Sequence, residues 1–85
     1  MDKILVEVLC AATGKKYDFL LPGQMRVRTA LRKIMEQIRR FEENEELFPG
    51  EKNCFLAEKD HKEILNEDFT LEQAGVLGGN RLILL

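Results

Sequence analysis

An α+β fold, with a mixed sheet of four to five strands and one main helix packed across one face, follows from three features of the sequence. Apolar residues alternate with period two through residues 4–10 and 16–21 and again near the C-terminus, as in half-buried strands. Between them, Val27, Ala30, Leu31, Ile34, Ile38 and Phe41 recur at three- and four-residue spacing, which is one amphipathic helix. The length of 85 residues, with no repeat or linker, leaves room for one small domain, residues 1–85.

The first strand, residues 4–10, puts Ile4, Val6 and Val8 on one face and Lys3, Leu5, Glu7 and Leu9 on the other. The two charges mark the second face as the one nearer water. Ala12, Thr13, Gly14 and Lys15 follow as a hairpin turn, since glycine takes the positive φ that such turns often require. The second strand, residues 16–21, points Tyr17, Phe19 and Leu21 inward and Lys16, Asp18 and Leu20 outward. Pro22-Gly23 ends it. The helix starts near Gly23 or Gln24, poor substitutes for a Ser or Asp cap. Its polar side carries Arg28, Arg32, Lys33, Glu36, Arg39 and Arg40, with Arg32, Glu36 and Arg40 as an i, i+4 ladder.

The helix fades through Glu42, Glu43 and Asn44 into an acidic loop, residues 42–52, expected to be solvated or folded back near Arg39 and Arg40. Residues 54–58 make a short strand, residues 59–62 a polar turn, and Glu63, Ile64 and Leu65 a brief returning strand. Residues 70–74 support one helical turn, stopped by Gly75. Gly78, Gly79 and Asn80 turn the chain into a last strand, residues 81–85, with Leu82 and Leu84 inward. That strand is expected beside the first, and the helix buries its stripe against both.

Composition excludes several classes of function. A net charge of −2 argues against a general nucleic-acid binder, which carries a basic excess. No segment approaches the roughly 20 apolar residues needed to span a bilayer. The apolar stretch near the N-terminus is short, is broken by Glu7 and does not read as a signal peptide, so a cytoplasmic location is expected. Two cysteines are too few for a disulfide scaffold. Cys10 and Cys54 sit in apolar runs and read as buried thiols; neither has a helix N-terminus or a local base to activate it. His61 lies with Asp60 and Glu63 in one polar turn, without the spacing of a metal-ligand set. No catalytic residue, metal or cofactor is expected.

Over nearly its whole length the chain resembles ubiquitin and its β-grasp relatives. Thr13-Gly14-Lys15 is similar to the first hairpin turn of that fold, and Val27, Leu31 and Ile34 to its helix stripe. Leu65, Thr70-Leu71, Gly75-Val76 and Arg81-Leu82 are similar to its second half. Within the superfamily, Gly75-Val76 followed by Gly79-Asn80-Arg81-Leu82 resembles the close of the YukD-like proteins, small bacterial ubiquitin-like proteins of type VII secretion systems. The chain departs from that pattern with Gly78-Gly79 in place of Asn-Gly and with a longer glutamate-rich loop. The resemblance implies a non-catalytic interaction module whose protein partners include membrane secretion components, and a place at the inner face of the membrane.

Gly78-Gly79 raises a rival, a conjugating modifier or sulfur carrier, whose chemistry needs a free C-terminal glycine. Cleavage after Gly79 would delete the closing strand and its inward Leu82 and Leu84. Each buried leucine is worth about 1.5–3 kcal/mol, so the pair reads as a turn. Another rival is a generic ubiquitin-like adaptor unrelated to secretion.

On the outward face of the sheet, Leu5, Leu9, Leu20, Phe55, Ile83 and Leu85 form a candidate protein-docking surface rimmed by Lys16, Asp18 and Arg81. Single exposed apolar residues need no function, but a cluster on one face suits docking, with Phe55 as the anchor. The free edge of the second strand offers a further route by strand addition. Arg28, Arg32 and Arg39 form a secondary charged face that reads as a solvated helix surface or as a site for an acidic or anionic partner.

Overall fold

The computed structural model describes residues 3–50 and 53–85; Met1, Asp2 and the last two residues of the acidic loop lie outside the described residues. Alternation in the first twenty-odd residues builds a hairpin. β1 (Lys3–Cys10) pairs antiparallel with β2 (Lys15–Pro22), from Lys3 opposite Pro22 to Cys10 opposite Lys15. Gly14 closes the turn at φ 70° and gives its N–H to the Cys10 carbonyl at 2.8 Å.

α1 (Val27–Phe41) begins three residues beyond Gly23-Gln24, and Arg26 stands at its N-cap without a side-chain cap bond. The later loop supplies the acceptors instead. The N–H groups of Val27 and Arg28 reach the carbonyls of Phe69 and Glu67 at 2.8 and 3.1 Å. Two of the four donors orphaned at a helix start are thus satisfied by tertiary contact.

The helix buries Val27, Ala30, Leu31, Ile34, Met35 and Ile38. Phe41 departs from the expected stripe. It is 62% exposed beside the edge strand β2, where its ring stacks on Tyr17 with centroids 6.1 Å apart.

The remaining strands are β3 (Leu56–Glu58), β4 (Glu63–Ile64) and β5 (Arg81–Leu84), and the sheet order is β2-β1-β5-β3-β4. β5 runs parallel to β1 on one side and antiparallel to β3 on the other. Phe55 and Leu85 exchange both backbone hydrogen bonds, at 3.0 and 2.9 Å, which carries the pairing one step past both strands. Cys54 falls before β3 and is only half-buried, its Sγ 3.6 Å from the Gly50 carbonyl; Cys10 is fully buried as expected.

Inward residues of the central strands, Val6, Val8, Leu56, Leu82 and Leu84, meet Ile34 and Ile38 of the helix, and Leu71 and Val76 complete the core. The glycine pair leads into β5. Gly79, at φ 86°, donates to the Leu5 carbonyl at 2.9 Å, and the Asn80 carbonyl accepts from Glu7 at 3.1 Å.

Leu82 is fully buried between β1 and β3. Leu82→Ala is expected to cost about 2–5 kcal/mol of stability, read from the urea unfolding midpoint. Leu20→Ala, at a side chain 59% exposed, is expected to stay within about 0.5 kcal/mol of wild type.

Candidate functional site: the uncovered face of the sheet

The helix covers one face of the sheet, and strand register sorts the other into rows. Leu9 lies opposite both Lys16 and Ile83, and Ala57 lies opposite both Ile83 and Ile64. Lys16, Leu9, Ile83, Ala57 and Ile64 therefore form one row across all five strands, about 19 Å long at the usual strand spacing. One step along the strands, the bonded pair Phe55 and Leu85 extends the apolar surface on the β5–β3 side. Phe55, Ile64 and Leu85 are 38%, 60% and 54% exposed, Leu9 and Ile83 are half-buried, and Ala57 between Ile83 and Ile64 is buried, so it forms the floor of the row and not a contact point.

One step in the opposite direction the surface is charged. Glu7 pairs with Asp18 and with Arg81, and Lys59 donates its N–H to the Arg81 carbonyl at 2.9 Å. This row is acidic over β2 and β1 and basic over β5 and the end of β3. Beyond it lie Leu5 and Leu20, paired with each other and exposed. The six residues expected to dock a partner thus share a face but not a patch. Leu5 sits about 13 Å from Leu9 along β1, with Glu7 between them.

Asp18 and Arg81 run through the predicted surface rather than around it. Ile64 belongs to the apolar row and was missed from sequence. The signal was its alternation with Leu65, which is buried.

The β3–β4 turn closes the row beside Ile64. The Glu58 carboxylate accepts the N–H groups of Asp60 and His61 at 3.1 and 2.6 Å and meets the His61 ring Nδ1 at 2.7 Å. Partial burial pushes the Glu58 carboxyl up, but its bonds from His61 and Asp60 outweigh that and hold it below the usual range. Its hydrogen bond to Glu58 raises the His61 pKa.

The predicted charged face of the helix is divided among separate tasks. Arg28 pairs with Asp68 at 2.8 Å and with Glu67 at 4.0 Å. Arg39 donates to the carbonyls of Leu47 and Phe48 at 2.9 and 3.2 Å, and its guanidinium lies 5.6 Å from the Phe48 ring centre. Arg32 is exposed. The acidic loop begins by turning the other way: Glu42 binds Lys15 at 2.7 Å and accepts from Tyr17 Oη at 2.9 Å. Among the described residues no ion pair forms along the Arg32, Glu36 and Arg40 ladder, no helix is long and apolar enough to cross a membrane, and no cluster of His, Cys, Asp and Glu is placed to hold a metal.

A helix laid across one face of a five-stranded mixed sheet in this order is the ubiquitin-like β-grasp fold. Among solved structures, the ubiquitin-like domain of EccD5 from Mycobacterium xenopi matches with a TM-score of 0.79 and 16% identity, over 100% of this chain and 94% of that one. The ubiquitin-like domain of the type VII secretion protein ECCD1 of Mycobacterium tuberculosis matches at 0.77 and 21%, over 100% and 99%. Caldiarchaeum subterraneum ubiquitin matches at 0.69 and 17%, over 96% and 90%. A search of curated proteins returns no match. The model of protein YukD of the WXG100 protein secretion system matches residues 5–84, and the chain belongs to that family.

The Glu58–His61 pair sets a pH dependence. Because the folded-state pKa of His61 is raised above 6.5, its contribution to stability is full below that value and is lost as pH rises through the raised value. His61→Gln is therefore expected to lower the urea midpoint on the acid side of 6.5, while Glu58 is still ionised, and to match wild type at alkaline pH. A midpoint difference that grows toward alkaline pH contradicts this reading.

Proposed function

We propose that the chain, as a single domain of residues 1–85, is a non-catalytic protein-interaction module. It serves the secretion system of its family from the cytoplasm and is held at the inner face of the membrane by a protein partner. The observation that carries this reading is the continuous apolar row Leu9, Ile83, Ala57 and Ile64 with the adjoining Phe55 and Leu85, on the sheet face that the helix leaves bare. Half-buried walls beside an exposed aromatic suit an anchor, since interface energy concentrates in a few well-packed residues.

The charged row alongside gives the docked partner an orientation. Basic groups of the partner are favoured over Asp18 and Glu7, and acidic groups over Arg81 and Lys59. Leu5 and Leu20 lie beyond that row, outside the patch. Arg32, exposed on the helix, adds a second point of charge recognition.

The test is affinity capture from native lysate with an N-terminally tagged chain, read by mass spectrometry, with folding of each variant checked by circular dichroism. Membrane secretion components are expected with wild type and with Leu20→Asp. They are expected to be lost with Phe55→Asp, Ile64→Asp and Ile83→Asp. Capture that survives all three substitutions places the docking surface elsewhere, and covalent high-mass adducts would identify a modifier instead.

A further inference from the structure

β2 ends the sheet, and its far side is unpaired among the described residues. Backbone parity shows which groups face outward. On β1, the Leu5 carbonyl accepts from Gly79, and the Glu7 N–H reaches Asn80; just past the strand, the Ala11 N–H reaches Leu84. Odd-numbered positions thus face β5, and the intervening residues of β1 bond to Lys15, Tyr17, Phe19 and Leu21 across the hairpin. Lys16, Asp18 and Leu20 are left with their N–H and C=O groups directed off the sheet, and all three side chains are exposed. Beside this edge, Phe41 lies 62% exposed against Tyr17, over a groove of about 310 Å³ between β2 and α1.

The geometry points to a second copy of this chain as the occupant of that edge, paired antiparallel along β2 about a two-fold axis at Tyr17. Charge and backbone chemistry select the register. An axis at Lys16 sets lysine opposite lysine, and one at Asp18 sets aspartate opposite aspartate, both repulsive. An axis at Phe19 or Leu20 brings Pro22, which has no N–H, against a residue that needs a donor. The axis at Tyr17 instead sets Lys16 of each copy opposite Asp18 of the other, in bonded pairs with opposite charges on one face.

Lysine on an edge ordinarily discourages pairing with other strands. Here the acid two residues away makes the edge complementary to itself. The same axis brings the two stacked Tyr17–Phe41 pairs together and covers the exposed Phe41 rings. Lys16 and Asp18 also end the two rows of the outer face, but none of the apolar docking residues Leu9, Phe55, Ile64, Ile83 and Leu85 lies on this edge, so Ile83→Asp tests docking without touching the edge.

The test is sedimentation velocity of the full chain over a concentration series. Wild type is expected to self-associate reversibly into a dimer. Lys16→Asp and Asp18→Lys are each expected to weaken association by roughly tenfold or more, because both cross-strand pairs become like-charged. An equimolar mixture of the two variants is expected to recover dimers, since the acidic edge of one then faces the basic edge of the other; this recovery also shows that both variants are folded. Ile83→Asp is expected to leave association unchanged. A wild type that stays monomeric throughout overturns the proposal, even if the edge captures an extended segment of another protein. So does a dimer indifferent to both reversals, or a mixture that stays dissociated.

Discussion

Everything in this structure depends on four residues, Arg81–Leu84, being held between β1 and β3. β5 is the only strand that joins the N-terminal hairpin to the β3–β4 pair among the described residues, so the sheet has no continuity without it. Its two inward leucines, both essentially fully buried, contribute about 1.5–3 kcal/mol each. A small domain has a total stability of only about 5–15 kcal/mol. The hydrogen bonds from Gly79 to Leu5 and from Glu7 to Asn80 fix the entry of the strand, and the two reciprocal hydrogen bonds between Phe55 and Leu85 fix its exit. Gly78-Gly79 is built into that entry as a turn.

The same strand joins core to surface. Leu82 and Leu84 point into the core, so Arg81 and Ile83 must point out, at the centre of the charged row and of the apolar row. A slip of one residue in the pairing would expose the leucines and bury Arg81, and the register is strongly specified for that reason. The proposed docking surface is therefore rigid, because its side chains are the reverse side of the packed core. It needs no loop to order on binding, which lowers the entropic cost of association.

The place of the last strand beside the first was legible in the sequence, and so were the facing of β1 and β2 and the inward leucines of β5, since each facing rests on a period-two pattern long enough to fix its phase. The helix was legible as an element and at its C-terminal end, where Glu42 caps it, but not at its start. Its start is set by carbonyls of residues 67–69, more than thirty positions away, and no local cap signals them. Phe41 follows the helical spacing, but its place beside the edge strand β2 is a tertiary fact, and the ring ended on Tyr17. Membership of the outer face was largely readable; contiguity was not. It depends on which residue of one strand stands opposite which residue of the next, and only the register shows Glu7, Asp18 and Arg81 cutting Leu5 and Leu20 away from the rest. Arg39 looked like surface charge because sequence spacing does not reveal the carbonyls of Leu47 and Phe48 turned toward it.

The most direct test of the central claim is to end the chain at Gly79 and record its thermal unfolding by circular dichroism beside the full chain. The account predicts that removing residues 80–85 abolishes the cooperative transition and the helical signal together, since hairpin, helix and β3 lose the strand that joins them. A shortened chain that keeps native helix content and unfolds cooperatively would contradict it, and would return Gly78-Gly79 to the status of a dispensable tail.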